Sequence, residues 1–169
     1  VSIGTADPNM ATSGSQIGSA PAWGAGFTGA GSRIAIIDTG VDVDHISFDA
    51  AAFEYSLAYR AGLAGMTPDE YRASLNLLTA TEIDKVASEL NAPITGNEAY
   101  INSKVAYGYN YIDRNYDVSH MNDKQGEHGS HVSGIAAANA FVPGENGFTS
   151  ALNSVFVQGV APDAQLITM

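Results

Sequence analysis

The chain has 169 residues, of which 45% are hydrophobic and 15% are charged, as expected for a globular domain with a core and not for a disordered segment. Its 18 acidic residues outnumber its 7 basic ones, and the net charge of −11 argues against nucleic acid or an anionic membrane as a partner, because both require a basic surface. The absence of cysteine excludes disulfides and a thiol nucleophile.

Residues 1–32 are rich in glycine, serine and alanine. We expect an irregular arm with one short helix near Ser19–Gly24, although the composition also fits a disordered leader. No hydrophobic segment approaches the ~18 residues that a membrane span requires, and the first residues lack a signal-peptide pattern. Because the sequence starts at Val1, we expect that a leader or propeptide has been removed or that the polypeptide was cut there.

The segment Ile34–Ile37 is a continuous apolar run. This pattern predicts a central strand of a parallel sheet, covered by other elements on both faces. The strand leads directly to Asp38, and Thr39 and Gly40 then allow the chain to turn. Because reactive groups of open α/β sheets gather beyond the carboxyl ends of strands, Asp38 is a candidate functional residue.

Residues from about 50 to 102 carry two strong signals for the start of a helix. In each, a threonine is followed three residues later by a glutamate, the spacing of a capping box: Thr67 to Glu70 and Thr79 to Glu82. We therefore predict two helices, at roughly 68–78 and 80–91. We interpret the whole segment as a helical insertion, peripheral to the core sheet, because neither helix carries a cluster of reactive side chains.

The rest of the chain alternates between predicted strands and helices. The predicted elements are a strand at 104–112, a polar loop at 113–126, a helix from 128 to about 140, an exposed loop at 141–157 and a buried strand at 164–169. Tyr107, Tyr109 and Tyr111 would share one face of the first strand and pack in the core or in an interface. The alternation predicts an α/β fold with a parallel sheet.

His128 is the second candidate functional residue. It stands at a predicted helix start, and Gly129 allows backbone to approach it closely. Histidine suits a base that works near neutral pH, since its unperturbed pKa is about 6.5, and a carboxylate on the other ring nitrogen fixes the tautomer. We therefore expect Asp38 and His128 to come within about 2.6–3.2 Å of each other.

The motifs around these two residues resemble those of the subtilisin-like serine proteases, the subtilases. The matching segments are Gly-Ala-Gly at 29–31, Ile-Ile-Asp-Thr-Gly-Val-Asp at 36–42, His-Gly-Ser-His-Val-Ser-Gly at 128–134 and Gly-Val-Ala-Pro at 159–162. The resemblance implies a three-layer α/β fold, a parallel sheet with helices on both faces, that is incomplete in this chain. It implies that Asp38 orients His128, the general base of an Asp-His-Ser triad. The resemblance also implies these structural neighbours: Thr39, Gly40, Gly129 and His131.

Within this family, Val105–Asp113 is most similar to the large bacterial cell-envelope proteinases of the lactocepin and C5a-peptidase type. The resemblance places the nucleophilic serine after Met169, so we expect a serine endopeptidase of which this chain supplies only Asp and His. A chain that ends inside a predicted buried strand suggests a nicked or truncated polypeptide. The expected partners are a polypeptide substrate and a C-terminal fragment of the same precursor, held without covalent bonds.

The expected location is secreted or associated with the cell wall, and catalysis would require no cofactor. A structural calcium ion is compatible with the family. In compact subtilisins, a Pro-Asp pair after the aspartate motif binds calcium, but residues 45–47 here are His-Ile-Ser, so no calcium ligands are assigned.

The same residues allow other interpretations. Asp-Thr-Gly at 38–40 is also the motif of aspartic proteases, and a lone aspartate there could cap a turn. His128 and His131 could share a metal ion, but the pair lacks the glutamate of a zincin motif, and we expect His131 to pack in the core. The chain could also be a catalytically inactive subtilase-fold domain used for binding or as a scaffold.

Four polar residues near the motifs have simpler expected roles. We expect the side chain of His45 to fix a turn by hydrogen bonding, and His120 to be solvated in its polar loop. Asp42 and Asp44 could line a cleft or bind a cation, but a solvated acidic loop is the simpler interpretation.

Overall fold

The computed structural model of the protein describes residues 10–119, 121, 126–154 and 157–169. Its helices are α1 (Met10–Ile17), α2 (Ser19–Gly24), α3 (Ala50–Ala64), α4 (Pro68–Ser74), α5 (Ala80–Glu89), α6 (Gly96–Ala99), α7 (His128–Ala137) and α8 (Ala151–Ser154). Its strands are β1 (Arg33–Ile36), β2 (Val105–Gly108), β3 (Phe141–Gly144), β4 (Gly147–Ser150) and β5 (Gln165–Thr168). None of the described helices has both the length and the apolar character needed to cross a membrane.

Three of the strands form a parallel sheet in the order β1-β5-β2. Arg33 is paired with Gln165 at one end of the β1–β5 ladder, and Ile36 with Thr168 at the other. β2 pairs with the opposite edge of β5, with an irregular register between Val105 and Tyr107. The last strand in the sequence therefore lies in the middle of the sheet.

Helices cover both faces of this sheet, and the predicted α/β fold is confirmed in the part that the chain contains. Leu166 of β5 belongs to a buried cluster that includes Ala137 of α7. The next residue of the strand, Ile167, points to the opposite face and packs against a second cluster that includes Ile83 of α5 and Ala99 of α6. Successive side chains of a strand alternate between faces, so the two clusters are the two sides of one sheet.

β1 lies at the edge of the described sheet, which corrects the prediction of a central strand covered on both faces. Ile34 and Ile36 pack against the core, but the side chain of Ala35 on the other face is exposed. Ile37, directly after the strand, is 81% exposed. The apolar run predicted the strand itself; the elements that would cover its second face are absent from the described residues.

The segment at about 50–102 is helical, with more helices than were predicted. The capping box at Thr67 is present, with the Glu70 side chain accepting from the Thr67 backbone N–H at 2.9 Å, and the Thr79 hydroxyl accepts from the Glu82 N–H at 3.3 Å. The helices after these caps, α4 and α5, end earlier than predicted. The long helix α3 was not predicted; it begins at Asp49, whose carboxylate accepts from the backbone N–H of Ala52 at 2.7 Å.

This helical segment is part of the core, so the expectation that it is peripheral is wrong. Leu78, Ile83 and Ala99 are buried in one cluster with Ala106 of β2. The side chain of Gln165, in the central strand, also accepts from the Leu78 N–H at 2.6 Å and donates to the Leu78 carbonyl at 3.2 Å. Whether the segment is an insertion relative to other members of a family stays a prediction.

A buried polar cluster lies at the N-terminal ends of β2 and β5. Lys104 is 0% exposed, and its ammonium nitrogen donates to the carbonyls of Pro162 and Ala164, both at 2.8 Å. The buried carboxylate of Asp163 pairs with Arg60, with an Nε–Oδ2 distance of 3.1 Å. Burial lowers the pKa of Lys104 to about 7, an effect that nearby Asp163 opposes.

Two further segments differ from their predictions. The strand predicted at 104–112 ends at Gly108, because the Asn110 side chain accepts the N–H groups of Ile112 and Asp113 and turns the chain. The exposed loop predicted at 141–157 is instead the antiparallel hairpin β3–β4 followed by α8 in its described part. Pro143 and Gly144, which favour a turn, are part of β3, and only Glu145 and Asn146 connect the two strands.

Candidate active site

Asp38 lies at the carboxyl edge of the parallel sheet. Its backbone N–H donates to the carbonyl of Met169 at 3.2 Å, and the Met169 N–H donates to Ile36 at 3.0 Å. These bonds continue the β1–β5 ladder by one step, which fixes the backbone from which the carboxylate projects. The Thr39 N–H then donates to Asp38 Oδ1 at 2.7 Å.

His128 is the first residue of α7, the helix that packs against β1 and β5. Because α7 runs over the sheet, its N-terminus reaches the same edge at which β1 ends. The imidazole Nδ1 lies 2.8 Å from Asp38 Oδ1 and 3.0 Å from Oδ2. The structure therefore brings together the two residues that the sequence motifs singled out, across a sequence separation of 90.

The contact assigns a tautomer to His128. An ionised carboxylate can only accept hydrogen bonds, so Nδ1 carries the proton that faces Asp38. No described residue forms a hydrogen bond with Nε2, the second ring nitrogen. The His128 side chain is 58% exposed and that of Asp38 is 18% exposed, so Nε2 is left as a basic lone pair that an incoming group can reach.

Two hydrogen bonds keep Asp38 ionised. The pKa of Asp38 is lowered, first by the hydrogen bond from His128 and second by that from the Thr39 N–H. Both donors are more favourable to the carboxylate than to the carboxylic acid. The half-buried aspartate therefore carries its negative charge beside the imidazole at neutral pH.

Two glycines allow the strand end and the helix start to touch. Gly40 has a φ of +100°, a left-handed conformation that glycine adopts without strain, and a Cβ there would lie 2.5 Å from the Val118 carbonyl oxygen. A Cβ on Gly129 would lie 2.1 Å from the carbonyl oxygen of Gly40. A side chain at Gly129 would push the helix start away from the strand end, and one at Gly40 would displace the loop at Val118 and Ser119.

An open cleft of about 710 Å³ adjoins the Asp38 carboxylate. One wall is the end of β1, including the exposed side chain of Ile37, and the other is the loop that carries Tyr111 and Ile112, whose side chains are also exposed. Its size is that of a ligand site, and its lining combines apolar residues with three aspartates, Asp38, Asp113 and Asp117.

The other candidate histidines do not join the pair. His131 is exposed, which corrects the prediction of a packed core histidine: α7 buries Gly129, Ser133 and Ala137 against the fold, and position 131 lies on another face. The turn role of His45 is confirmed, since its Nδ1 accepts from the Ser47 N–H at 3.2 Å. The prediction for His120 lies outside the described residues.

The geometry agrees with the simpler interpretation of Asp42 and Asp44 as part of a solvated acidic loop. The Asp42 carboxylate accepts from the backbone N–H of Asp44 at 3.2 Å, and the Asp44 side chain is exposed. Within the described ranges, no group of three or more His, Asp or Glu side chains could hold a metal ion.

The sequence analysis named Thr39 as a structural neighbour but missed the hydrogen bonds that hydroxyl side chains make at this site. Thr39 bonds to the backbone on both sides of His128, and Ser130 accepts a hydrogen bond from the Asp42 N–H at 2.8 Å. The only sequence signal for these roles is that each hydroxyl stands within two residues of a predicted functional residue.

Comparisons with known proteins agree with the motif analysis. A family model described as the subtilase family matches residues 29–169. The PII-type proteinase of Lactococcus lactis subsp. cremoris is 29% identical over 143 residues, which are 85% of this chain and 6% of that protein. The minor extracellular protease Vpr of Bacillus subtilis (strain 168) is 26% identical over 172 residues, covering 99% of this chain and 13% of that protein. The chain therefore spans a small part of the length of these relatives.

Proposed function

The chain belongs to the subtilase family, and we propose that it is the N-terminal part of a serine endopeptidase domain, to which it contributes the aspartate and the histidine of the catalytic triad. The Nδ1 contact of His128 with Asp38, at 2.8 and 3.0 Å, carries this proposal. It leaves Nε2 accessible to accept a proton from a nucleophile. The proposed nucleophile is a serine in the sequence that follows Met169.

The proposed reaction is acyl transfer. The serine oxygen attacks the peptide carbonyl carbon, and His128 Nε2 takes the hydroxyl proton. The tetrahedral intermediate then breaks the C–N bond, and His128 returns the proton to the leaving amine. Water repeats the sequence to release the acid product and the serine. Asp38 stays ionised throughout and stabilises the imidazolium. These steps need no cofactor, and a structural calcium ion stays unassigned.

We propose that the remainder of the domain is a C-terminal part of the same precursor, bound to this chain by packing and strand pairing. The small share of the relatives' length that the chain covers supports this proposal. The unpaired edge of β1 and the exposed side chain of Ile37 also support it, since an edge strand offers a row of free backbone groups to another strand.

The proposed location is outside the cell, secreted or associated with the cell wall. The relative from Bacillus subtilis is named an extracellular protease. The acidic composition of this chain, with a net charge of −11, is compatible with that location. Fractionation of the producing cells into cytoplasm, wall and medium, followed by detection of the chain, would test it; a cytoplasmic pool alone would contradict it.

The function can be tested by complementation. The chain would be co-expressed with the C-terminal part of its precursor, and hydrolysis of a chromogenic peptide would be measured for the chain and for the complex. We expect no turnover by the chain alone and turnover by the complex, because loss of the serine costs roughly 10⁶-fold in kcat. Asp38→Asn should lower kcat of the complex by about 10⁴-fold through the wrong tautomer. His128→Ala should cost more, since it removes the base.

The chain offers matched controls for both substitutions. His131→Ala removes an exposed histidine on the same helix, and Asp44→Asn removes an exposed carboxylate from the same loop; both should leave kcat within about 2-fold. Turnover by the isolated chain, or an Asp38→Asn complex with full activity, would refute the triad assignment. A complex that assembles but hydrolyses nothing would favour the alternative of an inactive subtilase-fold binding domain.

A further inference from the structure

Asp38 and His128 are distant in sequence, and no disulfide fixes their separation. Their contact depends on how the end of β1 is joined to the start of α7. A displacement of about 1 Å in a catalytic site can lower the rate about 100-fold. Loss of the bonds that make this junction should therefore lower the rate of the reaction. Two hydroxyl side chains form those bonds.

The Thr39 side chain contacts the backbone on both sides of His128. Its hydroxyl donates to the carbonyl of Gly126 at 3.0 Å and accepts from the N–H of Gly129 at 3.0 Å. The backbone N–H of the same residue donates to Asp38 Oδ1 at 2.7 Å. One residue therefore bonds to the carboxylate and to both chain segments that flank the imidazole.

Ser130, in the first turn of α7, makes a second junction with the segment that follows β1. Its hydroxyl oxygen accepts from the backbone N–H of Asp42 at 2.8 Å. Between the two hydroxyls, the backbones of Gly40 and Gly129 are so close that no side chain fits. The strand end and the helix start are thus joined at three consecutive points.

We infer that Thr39 and Ser130 are positioning residues that hold His128 in register with Asp38. The bonds that join the two segments run from each hydroxyl to backbone groups. The Thr39 side chain also favours the charged form of Asp38, as the smallest of the contributions that lower its pKa. The inference deepens the proposed function but can be tested without it, because the tautomer of His128 can be measured in the isolated chain whether or not a protease is formed.

The test uses ¹⁵N-labelled chain and long-range ¹H–¹⁵N correlations of the imidazole ring, which report which ring nitrogen carries the proton. The wild-type chain should show the Nδ1–H form of His128. The signal of this form should be lost in Asp38→Asn, which assigns it to His128. Thr39→Val keeps the branched shape and removes the hydroxyl; it should shift His128 toward the mixture of tautomers of a free histidine. Thr39→Ser, which restores the hydroxyl, should restore the wild-type spectrum.

Ser130→Ala and Ser130→Thr form a second pair with the same expected loss and rescue, and they keep the test decisive if Thr39→Val does not fold. In the complemented enzyme, Thr39→Val should lower kcat by about 10- to 100-fold with KM changed less than about 2-fold. A Nδ1–H fraction unchanged in both Thr39→Val and Ser130→Ala would overturn the inference, as would a wild-type chain without that tautomer. An inactive complex with the expected spectra would refute only the proposed function.

Discussion

Asp38 and Lys104 both have a lowered pKa, and the causes are opposite. Hydrogen bonds from His128 and Thr39 favour the charged form of Asp38, so its contribution to stability is present above the unfolded pKa and is lost as the pH falls through the folded pKa. Burial disfavours the charged form of Lys104. The charge of Asp163 favours the charged form of Lys104, but Asp163 is also paired with Arg60 and offsets only part of the effect of burial.

Lys104 should therefore make stability rise with pH. Its pKa is about 7 in the folded protein, and about 10.4 is usual for an exposed lysine, so between these values the unfolded chain binds the additional proton. The free energy of unfolding of the wild-type chain, minus that of Lys104→Met, should increase by up to about 1.4 kcal/mol per pH unit from pH 7.5 to 9.5. Arg60 and Asp163 are present in both proteins, so their own contributions to the pH dependence of unfolding cancel in this difference.

Urea titrations at several pH values measure this difference. Lys104→Met also loses two hydrogen bonds to backbone carbonyls, which lowers its stability at every pH and leaves the slope intact. A difference that is flat with pH would mean that Lys104 stays protonated in the folded chain.

At the residue scale, the sequence predicted the contact between Asp38 and His128 better than the packing around it. Asp38 and His128 were predicted because each stands in a motif with glycines that a close approach requires. His131 was mispredicted, since a spacing of three on a helix does not say which face the fold covers. The role of Thr39 could not be predicted, because its partners, at Gly126 and Gly129, meet it only after folding.

At the scale of elements, local signals predicted the starts of α4 and α5. Tertiary contacts determined how these helices pack, and local signals did not predict that. The caps at Thr67 and Thr79 are present as predicted. The helix α3 carries alanine and aromatic residues around its circumference, so no apolar stripe marked it. The hairpin β3–β4 was interpreted as a loop because Pro143 and Gly144 are turn residues in most contexts.

The core role of α5 gives a test with a control on the same helix. Ile83 is buried against the sheet, so Ile83→Ala should lower the free energy of unfolding by about 2–4 kcal/mol. Val86, one turn further along, is about half exposed, and Val86→Ala should change it by less than about 0.5 kcal/mol. Denaturant unfolding of both variants measures the contrast. Equal small effects would restore the prediction of a peripheral segment, and deletion of 66–92 would then be tolerated.

At the scale of the whole molecule, the sheet is open on one side. The apolar sequence of β1 predicted a strand with two covered faces, but a sequence pattern cannot report whether the covering elements belong to the same chain. The described sheet has three parallel strands, and β1 has a neighbour along one edge alone. Such an edge, with an exposed apolar side chain beside it, is prone to pair with another copy.

We therefore expect the isolated chain to self-associate as its concentration rises. Ile37→Lys should raise the concentration at which dimers or larger species form by about 10-fold, because a lysine beside an edge strand opposes pairing. Leu63→Lys, at an exposed position on α3, is the matched control and should have little effect. Sedimentation velocity over a concentration series measures both. A monomer at all concentrations, or equal effects of the two variants, would contradict the prediction.

The place of β5 between β1 and β2 has a consequence for synthesis on the ribosome. β1 and β2 emerge before β5, and in the described sheet they do not pair with each other; each pairs with β5, which is translated after both. Pairing over such long sequence separations is slow, because the entropy cost of closing the loops must be met before any stabilising contact forms. The nascent polypeptide therefore carries β1 and β2 without the strand that joins them until Gln165–Thr168 has left the exit tunnel, and this part of the sheet cannot form earlier.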